Sequence, residues 1–150
     1  KETSLMKHLL WLTIGLAVTT TAASAQVIHP AKIPAAEAGG AIFNRKEVIV
    51  AGEGAKQTKD VITLMTGDKL FESGMYKSGP AHEEWKDKDY GVDEFMLFVS
   101  GSVTLTSADG QVTTLGPGDA VTLPAEWRGK WDTEGYTKYY VIRSRGKPLE

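Results

Sequence analysis

The sequence lacks cysteine altogether. Without a thiol the chain has no disulfide bond, no thiolate metal site, no cysteine nucleophile and no N-terminal cysteine for lipid attachment. Its 150 residues are enough for one domain and little more. Such a domain has to be stabilised by its hydrophobic core alone, and a closed or nearly closed β-barrel provides one.

The sequence also lacks an excess of charge of one sign. Its formal net charge is -2, and it contains no long run of like charges. A nucleic acid or an anionic membrane surface would need a basic field, which this composition does not provide. We therefore expect neither a nucleic acid nor a membrane among the partners of the mature protein.

The apolar run near the N-terminus is too short to cross a bilayer. It has ten residues, 9–18, whereas a membrane-spanning helix needs about 20. The run follows Met6-Lys7 and precedes Ala23-Ser24-Ala25, an order typical of a secretory signal peptide with its cleavage site. The sequence thus predicts that residues 1–25 form the signal-peptide segment, with the signal itself starting at Met6. A signal peptide implies a periplasmic or secreted protein.

Two segments follow this predicted signal peptide. Residues 26–45 are rich in alanine, glycine and proline without periodicity, which is typical of an extended leader or arm. Residues 46–145 alternate short apolar runs with glycine-bearing turns, which predicts one all-β domain, a small antiparallel β-barrel or jelly roll. The predicted strands are residues 48–50, 61–65, 70–76, 95–99, 103–106, 112–115, 120–123 and 139–142.

The clearest local prediction is a hairpin. Residues 103–106 and 112–115 flank Asp109-Gly110, a pair favoured in hairpin turns because both residues tolerate left-handed backbone angles. The Gly-Pro-Gly-Asp sequence at residues 116–119 then predicts a tight turn into the next strand.

Two spaced motifs give this strand pattern a family resemblance. Glu94 is followed after six residues by Gly101, and Gly118 is followed after five residues by Pro124. These spacings resemble the two motifs of the cupin superfamily, which implies that residues 46–145 form a cupin domain. The Trp-Arg-Gly-Lys-Trp sequence at residues 127–131 resembles the branch with the (S)-ureidoglycine aminohydrolase cupin domain and the EutQ-type proteins.

The resemblance also implies where a metal would bind. Many cupins hold a divalent metal such as Mn, Fe, Ni or Zn with two histidines and a glutamate of the first motif and one histidine of the second. Of these four positions only the glutamate, Glu94, is kept. The residues at the histidine positions are Lys88 and Tyr90 (or Asp87 and Asp89, one step earlier) and Gly129. We therefore predict that the usual metal cofactor is absent.

One alternative metal site stays open. His82 and Glu84 lie two residues apart, so a strand would place both side chains on one face, where Glu94 could join them from the next strand. One histidine and two carboxylates can bind a divalent metal. The other interpretation is an exposed histidine in the charged segment that continues to Asp89.

The mouth of a small β-barrel is a common place for a ligand. Trp127 and Trp131 are four residues apart, so in a strand they would share a face with Gly129 between them. Two indole rings beside a position without a side chain would form a flat slot for a planar or sugar-like ligand, unless both rings serve core packing. The candidate ligand-binding residues are Tyr76, Lys77, Tyr90, Trp127, Trp131 and Tyr139.

Glu94 is the candidate catalytic residue. A glutamate inside an apolar barrel needs a partner or a raised pKa. If Glu94 is buried beside Lys77 or Tyr90, it is suited to general acid or base catalysis.

Three functions are compatible with these residues. The preferred one is an exported protein that binds a small polar or planar metabolite without the usual metal. The second is an enzyme similar to aminohydrolases or isomerases, working through Glu94 or through a metal at His82, Glu84 and Glu94. The third is an interaction protein whose barrel only mediates dimerisation. A homodimer is expected because cupins often pair edge strands that would otherwise lack a partner.

Overall fold

The computed structural model describes residues 29–150, so the predicted signal peptide lies outside the described residues. One short helix, α1 (Ala35–Ala38), and two 3-10 turns (Ala41–Asn44 and Gly54–Lys56) accompany an antiparallel sheet. Its strands are β1 (Ile49–Ala51), β2 (Thr58–Met65), β3 (Phe71–Ser78), β4 (Ala81–Trp85), β5 (Asp93–Ser107), β6 (Val112–Leu115), β7 (Ala120–Leu123) and β8 (Gly129–Arg143). The all-β prediction is confirmed. Between residues 29 and 150 no helix has the length and apolarity that a membrane crossing requires.

Two long strands, β5 and β8, form the middle of the sheet. They pair with each other along almost their whole length. The other edge of β8 pairs with β4 and then with β3, while the other edge of β5 pairs with β7 and then with β6. Strands β2 and β1 continue the sheet beyond β3. Side chains from β5 and β8 therefore reach every part of the interior.

Strand β5 replaces two strands that the sequence predicts separately, residues 95–99 and 103–106. The backbone at Gly101 has a φ of 74°, and the pairing with β8 shifts register on both sides of it. A Cβ at Gly101 would lie 2.0 Å from the carbonyl oxygen of Gly135 on β8. The glycine that the sequence suggests as a turn therefore lets one strand bend without ending.

The predicted hairpin and the strand after it are confirmed. Val103 pairs with Leu115 and Thr106 with Val112, and Gly110 in the connecting turn has a φ of 89°. Strand β7 has the predicted bounds. Here local turn chemistry was sufficient to fix the pairing.

Strand β4 and the first part of β8 are absent from the sequence-based prediction. Strand β4 reads Ala-His-Glu-Glu-Trp, which lacks an apolar alternation because its three middle residues are all exposed. It is held in the sheet by pairing with β8. The sequence predicts only residues 139–142 of β8, because charged residues and Gly135 interrupt its earlier part. Pairing with β5 keeps that part extended.

Two apolar clusters lie on opposite faces of the sheet. The inner one contains Met96, Phe98, Val103, Leu105, Leu115, Leu123, Trp131 and Tyr136. The outer one joins Val61 and Met75 to Ile42 and Phe43. Ile42 and Phe43 are buried, although the sequence predicts an extended leader or arm over residues 26–45. The described part of that segment instead packs on the sheet, because its 3-10 turn presents two large apolar side chains to it.

Candidate functional site

A cavity of about 640 Å³ opens inside the curved sheet. Its walls come from β2, β3, β4 and β8 and from two residues near the start of β5, Tyr90 and Glu94. Side chains alternate between the two faces of a strand, so alternate residues of β3 and of β8 from residue 136 onward point into the cavity, and Trp131 joins them from the first part of β8. These positions carry four tyrosine or tryptophan rings and two charged groups, namely Glu72, Tyr76, Trp131, Tyr136, Lys138 and Tyr140.

Glu94 is buried at this cavity, with 2% of its surface exposed. Its Oε1 accepts a hydrogen bond from Nζ of Lys138 at 2.6 Å, and its Oε2 accepts one from the hydroxyl of Tyr90. Burial of a carboxylate without partners would be costly. Glu94 is therefore buried beside Tyr90, one of the two neighbours that the sequence suggested for it. Its cationic partner is Lys138 and not Lys77.

The ammonium group of Lys138 occupies the middle of a ring of aromatic side chains. Its Nζ lies 5.3 Å from the ring centre of Trp131, 5.6 Å from those of Tyr76 and Tyr136, and 6.0 Å from that of Tyr140. Aromatic faces attract cations at this range. Lys138 is itself 6% exposed, so the cavity already holds one cation of the chain, fixed by a carboxylate and four rings.

Tyr90 occupies one of the positions at which the cupin resemblance places a metal-binding histidine. Its hydroxyl contacts Glu94, as a ligand sharing a metal with that glutamate would be close to it. Burial, followed by the negative charge of Glu94, raises the pKa of Tyr90 far above its ordinary value. The phenol therefore stays protonated and donates its hydrogen to the carboxylate.

Strands β2 and β3 add two further acidic groups to the cavity, Asp60 and Glu72. The hydroxyl of Tyr140 donates to Oδ1 of Asp60 at 2.9 Å. Burial raises the pKa of Asp60, and burial together with repulsion by Asp60 and Glu94 raises that of Glu72. Within residues 29–150, the carboxyl groups of Asp60, Glu72 and Glu94 therefore share the cavity with the buried ammonium of Lys138, and the exposed Glu83 lies at its rim.

The described residues do not fit the usual cupin metal. Gly129 stands where the last histidine is expected, and a Cβ there would lie 2.2 Å from the carbonyl oxygen of Thr106 and 2.6 Å from the ring of Trp127. No side chain has room at that position. Both oxygens of Glu94 are engaged by Tyr90 and Lys138, and an ammonium beside them repels a metal cation.

The alternative metal site is not assembled either. His82 Nδ1 contacts Oδ1 of Asp132 at 2.9 Å, with the imidazole mostly exposed at the rim. Glu84 points away from the cavity and lies near Lys130. In the region from residue 29 to residue 150, no group of three or more histidine, cysteine, aspartate or glutamate side chains is placed to hold a metal.

Of the six predicted ligand-binding residues, three line the cavity: Tyr76, Tyr90 and Trp131. Lys77 lies on the opposite face of β3 and is exposed. Tyr139 lies on the opposite face of β8, against the outer apolar cluster. Both depart from the prediction because strand alternation turns them away from their cavity-lining neighbours.

The aromatic slot predicted between Trp127 and Trp131 does not exist. Trp127 precedes β8 instead of belonging to it, and its ring lies over Gly129, filling the space that the slot would need. Its Nε1 donates to Oγ of Ser107 at 3.1 Å, and its ring contacts those of Trp85 and Tyr90. Trp127 is therefore a packing residue.

The cavity residues that the sequence-based prediction missed include the charged residues Asp60, Glu72 and Lys138. The alternation in β8 carried the signal for one of them. Alternate positions of β8 carry Tyr136, Lys138 and Tyr140. A lysine between two tyrosines on one strand face indicates an ammonium group surrounded by aromatic rings, provided that this face is known to point into the barrel. The sequence alone does not say which face is internal.

Comparison with known proteins places this geometry in a family. Residues 65–140 match the family model described as the EutQ-like cupin domain. None of the curated proteins compared with the chain matches it.

Solved structures agree on the fold. A DUF861-family protein of unknown function from Pseudomonas syringae superimposes with a TM-score of 0.55 at 17% identity, covering 63% of this chain. The chain spans 43% of that protein's length. A protein of unknown function from Rhizobium leguminosarum gives a TM-score of 0.53 at 20% identity, covering 79% of this chain and 100% of its own. The EutQ protein of Clostridium difficile gives 0.50 at 11% identity, covering 70% and 75%.

Proposed function

Because this chain belongs to the EutQ-like cupin family, we propose that it is an exported cupin-domain protein that binds a small polar or planar metabolite in its cavity without the usual cupin metal. Membership of the fold does not determine the chemistry. The observation that carries the proposal is the cavity itself, about 640 Å³ lined by aromatic rings with ionisable groups buried among them.

The size and lining of the cavity support a ligand. Small-molecule sites are commonly concavities of about 300–1,000 Å³ with apolar walls and a few fixed polar groups. Here Tyr76, Tyr136 and Trp131 supply flat apolar surface, and Glu94 with Lys138 supplies a polar contact whose position is set by packing on all sides. A planar compound with polar substituents fits this combination.

The buried ion pair supports a site that works without the metal. Lys138 Nζ supplies the positive charge next to Glu94 that a divalent cation would supply in many cupins. Buried pairs add little net stability compared with apolar residues. A pair placed at the wall of a cavity is therefore better explained by contact with a ligand than by stabilisation of the barrel.

The same proposal includes export and self-association. Export rests on the signal-like sequence of residues 6–25, which predicts a periplasmic or secreted location. A homodimer is supported by the exposed apolar side chains Ile49 and Val50 of edge strand β1, since an edge strand has unpaired backbone groups to offer.

One observation favours a second candidate, an enzyme with Glu94 as acid or base. The protonated hydroxyl of Tyr90 and the ammonium of Lys138 both donate to the carboxylate of Glu94. A carboxylate held by two donors in this way can give a proton to a bound molecule or take one from it. Turnover of a cavity-bound compound that Glu94→Gln abolishes, with binding retained, would establish the enzyme in place of the binding protein.

The binding function is tested by blocking the cavity. Thr58 of β2 lines it, while the adjacent Lys59 does not, so Thr58→Trp fills the mouth and Lys59→Trp is the matched control. We expect at least one compound of a metabolite library to raise the melting temperature of the parent and of Lys59→Trp but not of Thr58→Trp.

Two outcomes would contradict the binding function. If no compound stabilises the parent, or if stabilisation persists in Thr58→Trp, the cavity is not the binding site.

Elemental analysis of protein purified without an affinity tag tests whether the protein binds a metal. Stoichiometric Mn, Fe, Ni or Zn that is lost in Glu94→Ala would overturn the metal-free site and favour a metal-dependent enzyme.

A further inference from the structure

The charges inside the cavity do not balance. Asp60, Glu72 and Glu94 contribute three carboxyl groups, whereas Lys138 contributes the one buried ammonium. Lys56, His82 and Glu83 also border the cavity, but all three are exposed at its rim. Since Lys138 is held by Glu94 at 2.6 Å, the charges of Asp60 and Glu72 are left for something else to neutralise.

Glu72 shows most clearly that a partner is missing. Its side chain is buried, with 8% of its surface exposed. Between residues 29 and 150 no group donates a hydrogen bond to it, and no cationic side chain forms an ion pair with it. None of the described side-chain oxygens is both sealed from solvent and unpaired, so the carboxylate of Glu72 faces the open space of the cavity.

Asp60 lines the same cavity as Glu72, and its carboxylate can accept a further hydrogen bond. The hydroxyl of Tyr140 donates to its Oδ1, which fixes the carboxylate and leaves Oδ2 available. That hydroxyl also lies 3.0 Å from the Cβ position of Gly74, the next inward residue of β3 after Glu72. Asp60 and Glu72 therefore face the same part of the cavity, and the repulsion by Asp60 raises the pKa of Glu72. A cation between them would remove this repulsion and supply the hydrogen bonds that Glu72 lacks.

The chemistry of the surroundings favours an organic ammonium over a metal ion. Two carboxylates are fewer ligands than Zn, Ca or Mg takes from oxygen or nitrogen donors, and none of the groups between residues 29 and 150 adds the third. Aromatic rings are present instead, and aromatic faces stabilise ammonium groups. Tyr76 and Tyr140 already stand within 6.0 Å of one ammonium, that of Lys138.

We propose that Asp60 and Glu72 form an ammonium site, so that the molecule bound in this cavity is a small primary amine or a similar organic cation. Its charged end lies between the two carboxylates, and its uncharged part lies against the rings. This inference rests on the proposed binding function and specifies the class of ligand.

The test uses three probes of one shape and different charge: benzylamine, benzyl alcohol and benzoate. We expect calorimetric titration of the full chain at pH 7.5 to show benzylamine binding at least about tenfold more tightly than benzyl alcohol, because charged hydrogen bonds are the strong ones. Benzoate should bind more weakly than either, since it meets two carboxylates.

Variants locate the effect. Glu72→Gln and Asp60→Asn should each weaken benzylamine binding by about tenfold or more while leaving benzyl alcohol unchanged. Glu134→Gln, an exposed position of β8 outside the cavity, should change neither. Two variants at separate strands keep the test valid if one of them fails to fold.

The outcomes separate the two proposals. If benzyl alcohol or benzoate binds as tightly as benzylamine, or if both variants keep the affinity for benzylamine, the ammonium site is overturned while binding in the cavity stands. If none of the three probes binds and the library compounds that the cavity does bind are uncharged or anionic, the ammonium site is again overturned. If no library compound binds, the binding function fails with it.

Discussion

The two ends of the barrel interior are built from the same two strands and differ in almost every property. At one end, β5 contributes Phe98 and Leu105 to an apolar cluster, and Trp131 of β8 lies between this cluster and the cavity. At the other, β5 and β8 contribute Glu94 and Lys138 to the wall of the cavity. The difference shows that the sheet needs only one end to be stable, because burial of the apolar end supplies the driving force for folding. The other end is free to carry groups that cost stability and serve a ligand.

The largest expected effect is in the apolar end. Phe98 is 1% exposed and packs edge-on against Tyr136, so Phe98→Ala should lower the free energy of unfolding by about 3–5 kcal/mol through lost burial and a residual cavity. Phe95 is the matched control, since it lies on the outer face of the same strand and is 45% exposed. Phe95→Ala should cost about 1 kcal/mol or less. Equilibrium urea unfolding measures both, and equal losses would contradict the placement of the core.

The next effect concerns the ion pair of the polar end. Lys138→Met leaves Glu94 buried without its cation and should cost about 3 kcal/mol, at the low end for a broken buried pair because the cavity admits water. The double variant Glu94→Gln/Lys138→Met should recover at least half of that loss, since neither charge then remains unpaired. Lys130→Met, exposed on the same strand, is the control and should cost about 0.5 kcal/mol or less. A double variant less stable than Lys138→Met would show that the two charges are not coupled.

The smallest effect concerns the unpaired carboxylate of the polar end. Because burial and repulsion raise the pKa values of Glu72 and Asp60, the folded protein holds protons that the unfolded chain has already lost. Their contribution to stability is therefore full below about pH 4 and is lost as the pH rises through the raised pKa values. Glu94 on β5 and Lys138 on β8 face the same space and form an ion pair.

Glu72→Gln removes the buried negative charge that destabilises the folded protein at high pH, so it should raise the free energy of unfolding at pH 8 by on the order of 1 kcal/mol. It should also flatten the loss of stability between pH 4 and pH 8. Urea unfolding of the parent, of Glu72→Gln and of the exposed control Glu134→Gln at several pH values measures the effect. Parallel curves for all three proteins would show that Glu72 is solvated as freely as a surface residue.

The elements that local chemistry specifies were predicted well. The hairpin at Asp109-Gly110 and strand β7 have the predicted positions, and the spacing from Glu94 to Pro124 indicated the family that the comparison confirms. The missed elements depend on distant partners. Strand β4 has no apolar alternation of its own and is extended because it pairs with β8.

The candidate site was predicted only in part, for the same reason. Glu94 and Tyr90 belong to the family motif or its neighbourhood, and they do meet. Lys138 lies 44 positions further along the chain, and no local pattern links it to Glu94. Lys77 and Tyr139 were predicted from residue type, but strand register turns them outward.

The sequence by itself determined that the domain is a β structure of the cupin kind and that the usual histidines are missing from it. Both follow from local features, namely turn residues, strand periodicity and motif spacing. Only the tertiary structure decided what occupies their place: Lys138 beside Glu94, and Trp127 over Gly129. The physical reason is that register across a curved sheet sets which side chains meet in its interior, and a one-residue change of register would turn each of them to the other face.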